Sequence, residues 1–171
     1  MLDRLSQRQR NGGRALSSCA SYTSSTGEDI NTCETPSARP CERANGRLYT
    51  DLDITLPREL TRSDQVALAR AFLDREIGTA HPCSWAVRVR RALDGGDHPY
   101  VLLMVSERTH DGVERGPAQF FQRAHPTDPT RGGAAKDPAW HHRDKVLALR
   151  VAWAETANRA LAQAGVAARI D

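Results

Sequence analysis

Lysine is almost missing from this 171-residue chain: of its 24 basic side chains only Lys136 and Lys145 are lysines. The basic side is arginine, whose planar fork suits phosphate oxygens, although coding bias yields the same composition. A net charge of +3 falls well short of a strongly basic nucleic-acid domain. No apolar run is long enough to span a bilayer, and the opening "MLDRLSQRQRNGGR" is charged throughout, so neither a membrane segment nor a signal peptide is expected. Four cysteines, Cys19, Cys33, Cys41 and Cys83, form no CxxC pair and have no histidine at zinc-finger spacing. Free thiols in a reducing cytoplasm follow.

What is present suffices for one domain with a single core. Residues 1–46, rich in Ser, Thr, Gly and Arg, are expected to be an N-terminal segment with a short helix near residues 15–22 and a flexible loop. Residues 47–171 carry the periodic signals. "LYTDLDITL" alternates, with Leu48, Leu52, Ile54 and Leu56 on one face and Tyr49, Asp51, Asp53 and Thr55 on the other. Thr61 then caps a helix whose stripe of Val66, Ala69, Phe72, Leu73 and Ile77 closes at Gly78. "SWAVRVRRAL" and "YVLLMVS" read as two strands joined by a turn at residues 94–97, residues 111–140 as an irregular loop with a turn of helix around Gln119, and residues 141–165 as a long helix ending at Gly165. The sum is an α+β layer fold, an antiparallel sheet with helices packed on it.

Four stretches carry a resemblance in one order: "ERANGRLYTDLDITLPRELT", "VSERTHDGVERGPAQFF", "RGGAAK" and "AWAETANRALAQAGVAARID". Together they resemble the relaxase domain of the MobA/MobL family of plasmid mobilisation proteins, which implies a fold like that of rolling-circle replication initiators. It also implies an activity. In that family a tyrosine attacks a phosphodiester of single-stranded origin-of-transfer DNA, becomes linked to the 5′ phosphate and leaves a 3′ hydroxyl for later rejoining. A divalent cation held by three histidines, two of them in an HxH pair, offsets the charge that spreads over the phosphate. Relaxosome accessory proteins are the further partners implied.

The resemblance places the nucleophile at Tyr22, nine residues after Gly13 in "GGRALSSCASY", and sets Asp51 and Asp53 at carboxylate positions beside the active site. It also leads us to expect an apolar first strand, for which "MLDRLSQRQ" supplies no pattern. Where the family reads NPHxHLM this chain reads "HPYVLLM", so Tyr100 and Leu102 stand in the HxH positions, and the third histidine falls near Ala92. No metal site is therefore expected. His98 is the one weighed substitute, since with Asp51 and Asp53 it could hold Mg²⁺ or Mn²⁺, while a solvated turn histidine is the plainer reading. His141 and His142 are expected at the polar start of the last helix.

Arg88, Arg90, Arg91 and Arg108 are the expected phosphate contacts, with Tyr49, Tyr100 or Trp85 available for base stacking. The expectation is a relaxase-type protein that retains its DNA-handling scaffold while its nicking is impaired. An active relaxase, a non-catalytic single-strand binder and a decayed remnant stand beside one another as readings of the sequence.

Overall fold

The structure, a computed structural model, describes residues 5–11 and 47–171. Four strands, β1 (Leu5–Asn11), β2 (Arg47–Thr55), β3 (Cys83–Arg91) and β4 (Asp97–Val105), form one antiparallel sheet in the order β1-β2-β4-β3. Helix α1 (Arg62–Glu76) carries the chain from β2 over to β3, and the β3–β4 hairpin then drops β4 into the gap between them. That arrangement is a split βαβ unit. Helix α2 (Pro117–Phe120) and two 3₁₀ turns punctuate the long loop before α3 (Arg143–Gln163).

Period-2 alternation decides which face of the sheet is covered. Leu52, Ile54, Leu56, Val101, Leu103 and Val105 are buried on the inner face, beneath the apolar stripes of α1 and α3. Phe72 of α1 meets Trp153 of α3 edge to face at 5.1 Å, which fixes the two helices side by side. Thr61 caps α1 through its hydroxyl oxygen, which accepts from the Asp64 amide at 3.2 Å. Gly78 and Gly165, both at positive φ, end the two long helices where the sequence places them. Buried Gln65 donates its side-chain amide to the Pro57 and Leu60 carbonyls, tying α1 back to the turn that leads into it.

Two features depart from expectation. Residues 5–11, where the resemblance implies a first strand but the sequence shows no strand pattern, pair with β2 as β1. As the edge strand it needs only backbone partners on one side, so polar side chains do not forbid it. Trp85 points to the inner side, packed against the core, and is no stacking platform on the opposite face. The expected helix at residues 15–22 lies outside the described residues, as does Tyr22. Among the described residues no helix is long and apolar enough to cross a membrane.

Candidate functional site: the outer face of the sheet

The outer face is built by the alternate residues of the same strands. β2 contributes Tyr49, Asp51, Asp53 and Thr55; β4 contributes His98, Tyr100, Leu102 and Met104; β3 contributes Ser84, Ala86, Arg88 and Arg90. All are half-buried or exposed, whereas the inward residues of β2 and β4 between Thr50 and Val105 are buried. Register fixes who stands beside whom. Leu102 lies between Asp53 and Ala86, Tyr100 between Thr55 and Arg88, and Met104 between Asp51 and Ser84. β1 adds backbone positions Ser6 opposite Asp53 and Arg8 opposite Asp51.

Tyr100 and Leu102 thus share a face with both aspartates rather than turning into the core. The donor set around them does not suit a cation. Leucine has no lone pair, and the cross-strand neighbour of Tyr100 is a guanidinium, which repels a metal ion. Ala92, near which the resemblance puts the third histidine, sits at the hairpin turn, its amide bonded to the Gly96 carbonyl, and is not beside Tyr100. Arg88 and Ala86 are the β3 residues that oppose Tyr100 and Leu102.

His98 does not join the aspartates. It lies four residues from Leu102, the partner of Asp53, which is about 13 Å along a strand. Its Nε2 is instead 3.2 Å from Arg90 Nη2 and 3.4 Å from Thr55 Oγ1. Burial, and then the positive fields of Arg90 and Arg58, lower the His98 pKa below the usual histidine value. Arg90 in turn lies over the Tyr100 ring, with its guanidinium carbon 4.8 Å from the centroid. Among the described residues no three His, Cys, Asp or Glu side chains gather as a group able to hold a metal.

The four expected phosphate contacts separate. Arg88 and Arg90 are exposed on the outer face, whereas Arg91 has the opposite strand parity. Arg108 is buried beyond the far end of β4, where its guanidinium donates to the carbonyls of Ala134 and Phe121. It holds the loop, its fork turned to backbone carbonyls.

Around Arg108 lies a second constellation that the sequence did not disclose. Glu107, fully buried, accepts from Lys136 Nζ at 3.2 Å, with His141 Nε2 at 3.4 Å and Thr50 Oγ1 at 3.4 Å. His141, expected in the last helix, instead ends the 3₁₀ turn Pro138–His141 ahead of α3 and engages Glu107. His81, also buried, makes a hydrogen bond through Nδ1 with the Arg108 carbonyl at 3.1 Å, and Trp140 Nε1 donates to its Nε2 at 3.3 Å. An indole N–H can only donate, so Nε2 carries no proton and Nδ1–H is the donor. Burial lowers the His81 pKa, consistent with a neutral ring. Gly132 and Gly133 sit so close to the backbone of residues 122–125 that a Cβ on either would collide with it. "RGGAAK" is thus a backbone-packing motif, and the pairing of "ER" in "VSERT" with the Lys of "RGGAAK" was the signal available.

The four-stranded antiparallel sheet with both long helices on one face defines an α+β layer domain. A solved structure described as "Molecular Basis of Vancomycin Resistance Transfer in Staphylococcus aureus" shares this fold, with a TM-score of 0.53 and 19% identity over 75% of this chain and 59% of that one. A model of the MobA/MobL family matches residues 38–171, and the chain belongs to that family. Mobilization protein A of Escherichia coli is 44% identical over 131 residues, and the 43 kDa relaxation protein of Salmonella typhimurium is 35% identical over 135. Each alignment covers 76% of this chain, but only 18% of the first relative and 36% of the second. Conjugal transfer protein TraA of Agrobacterium fabrum is similar at 28% over 134 residues.

Proposed function

We propose that this domain binds single-stranded origin-of-transfer DNA across the outer face of its sheet, as a mobilisation relaxase scaffold whose strand cutting is impaired. Membership of the MobA/MobL family and relatives named for mobilisation and relaxation support the DNA-handling part. The impairment rests on one observation: Tyr100 and Leu102, where the resemblance calls for the paired imidazoles, stand on the outer face with Arg88 beside Tyr100. Loss of a cation that stabilises a phosphoryl transition state costs several kcal/mol, which is orders of magnitude in rate.

Arg88 and Arg90 supply the positive surface, as exposed forks that can take phosphate oxygens without a metal. Tyr49 and Tyr100 are the rings available to bases. Asp51 and Asp53 line the same face, and with no cation between them and the DNA they repel phosphate rather than assist its cleavage. Tyr22 is the proposed nucleophile. On this reading the domain works in the cytoplasm, with relaxosome accessory proteins as partners.

The test is covalent adduct formation. The chain is incubated with single-stranded origin DNA and Mn²⁺ or Mg²⁺, and protein–DNA conjugates are resolved under denaturing conditions. We expect no adduct above the level of Tyr22→Phe. A robust adduct that disappears in Tyr22→Phe or with chelator shows an intact cutting centre and overturns the impairment.

A further inference from the structure

At the hairpin end of the outer face four side chains interlock in a way that neither the missing cation nor core packing explains. Arg90 lies over Tyr100 and donates to His98 Nε2, while the Thr55 hydroxyl stands on the other side of the same nitrogen. Arg88 is the cross-strand neighbour of Tyr100 and shares the face of Arg90. Resting on the reading that this face handles single-stranded DNA, we propose that Arg88, Arg90, His98 and Thr55 form a phosphodiester-binding site whose grip tightens as His98 takes up a proton, with Tyr100 holding Arg90 in position.

The linkage follows from donors and acceptors. A guanidinium can only donate, so in the free protein Nε2 of His98 must accept from Arg90 and the ring is neutral. A proton on Nε2 then faces a positive guanidinium with nothing between them. An anion changes the sign of that contact: a phosphate oxygen can accept from Arg90, from protonated Nε2 and from the Thr55 hydroxyl together. The charged groups acting on His98 are consistent with this. Arg90 and Arg58 oppose protonation and Asp94 favours it, but the Asp94 carboxylate is 2.7 Å from Arg58 Nη1 and is largely neutralised there. Asp97 is the adjacent residue on β4. A bound phosphate adds the missing negative charge, raises the His98 pKa from its lowered value and so couples binding to proton uptake. Tyr100 serves as a positioning residue, since stacking pre-orders the arginine fork before DNA arrives.

The experiment is a fluorescence-anisotropy titration of the full chain with a labelled oligothymidylate at constant ionic strength, between about pH 8 and about pH 5, the span over which histidine titrates. For the wild type we expect affinity to rise about tenfold on acidification, the equivalent of one pKa unit of linkage. His98→Gln should cut that gain below about twofold, because glutamine cannot take up a proton. Tyr100→Leu should weaken binding about fivefold or more, because the Arg90 fork loses the ring that pre-orders it. Arg91→Gln, on the opposite face, should leave the acid gain intact. Thermal melts at each pH confirm that every variant remains folded.

If His98→Gln retains the full acid gain, or Arg90→Gln binds like the wild type at both ends of the range, the phosphate lies elsewhere and the inference is wrong while DNA handling stands. If the wild type binds no single-stranded DNA at any pH, the functional reading beneath falls with it.

Discussion

The two ends of β4 differ in what their motifs are for. Beyond the Val105 end, Glu107, Arg108, the Gly132–Gly133 pair and Lys136 are consumed by contacts inside the fold: a buried carboxylate meeting an ammonium, a guanidinium spent on carbonyls, and glycines where backbones touch. Toward the Asp97 end, Tyr100, Leu102 and Arg88 stand exposed or half-buried on an open face, and nothing in the packing dictates their identity. Stability constrains the first set whether or not the protein cuts DNA. Only chemistry constrains the second. The polar clasp that pins the long loop makes none of its contacts with Tyr100, Leu102 or Arg88, so substitutions at one end of the strand leave the other end intact.

The sharpest way to break that contrast is to put the chemistry back. The triple variant Arg88→His, Tyr100→His and Leu102→His sets three imidazoles on neighbouring outer-face positions, and calorimetric Mn²⁺ titration should show affinity raised by about a thousandfold, or about 4 kcal/mol. An equivalent variant with the third histidine at Ala92 should gain far less, because Ala92 lies at the turn. Both variants should melt close to the wild type. At the clasp the opposite holds. Gly133→Ala drives a methyl into the Gln122 backbone and should cost about 3 kcal/mol or more, read as a lowered midpoint in urea unfolding. Glu107→Ala removes an acceptor from Lys136, Thr50 and His141 and should cost about 2 kcal/mol by the same measurement.

A smaller effect is expected from pH. Because the folded His81 pKa is lowered, the unfolded chain binds more protons below the ordinary histidine value, so stability is present above about pH 6.5 and declines as pH falls through that value. His98 is shifted the same way and adds to the slope. His81→Phe should lower stability at neutral pH and flatten its acid decline between about pH 6.5 and about pH 5, measured by urea unfolding across that range. Asp111, drawn down to about 2 by the Arg115 guanidinium, contributes only in a separate window below the usual carboxylate range.

Much of the fold was legible because burial imposes periodicity. The alternation in "LYTDLDITL", the Thr61 cap and the glycines at 78 and 165 each answer to a local rule, and each element formed where that rule puts it. β1 was not legible: an edge strand of Ser, Gln and Arg is specified by its partner's hydrogen bonds rather than by its own pattern. Strand parity put Tyr100 and Leu102 together on β4 and Asp51 and Asp53 together on β2, and the pairing of the two strands sets them on one face. Register was beyond reach, and register is what sets Arg88 rather than Ala92 across from Tyr100 and separates His98 from the aspartates. Arg108 misled because composition cannot tell a guanidinium offered to phosphate from one folded onto carbonyls.

Affinity for single-stranded DNA with and without a chelator tests the outer-face claim most directly. With the full chain and a labelled oligonucleotide at fixed ionic strength, binding should be the same, within about twofold, in EDTA and in Mn²⁺, since arginine forks rather than an ion make the contact. Binding that collapses in EDTA and returns with Mn²⁺ would mean that a cation bridges protein and phosphate after all.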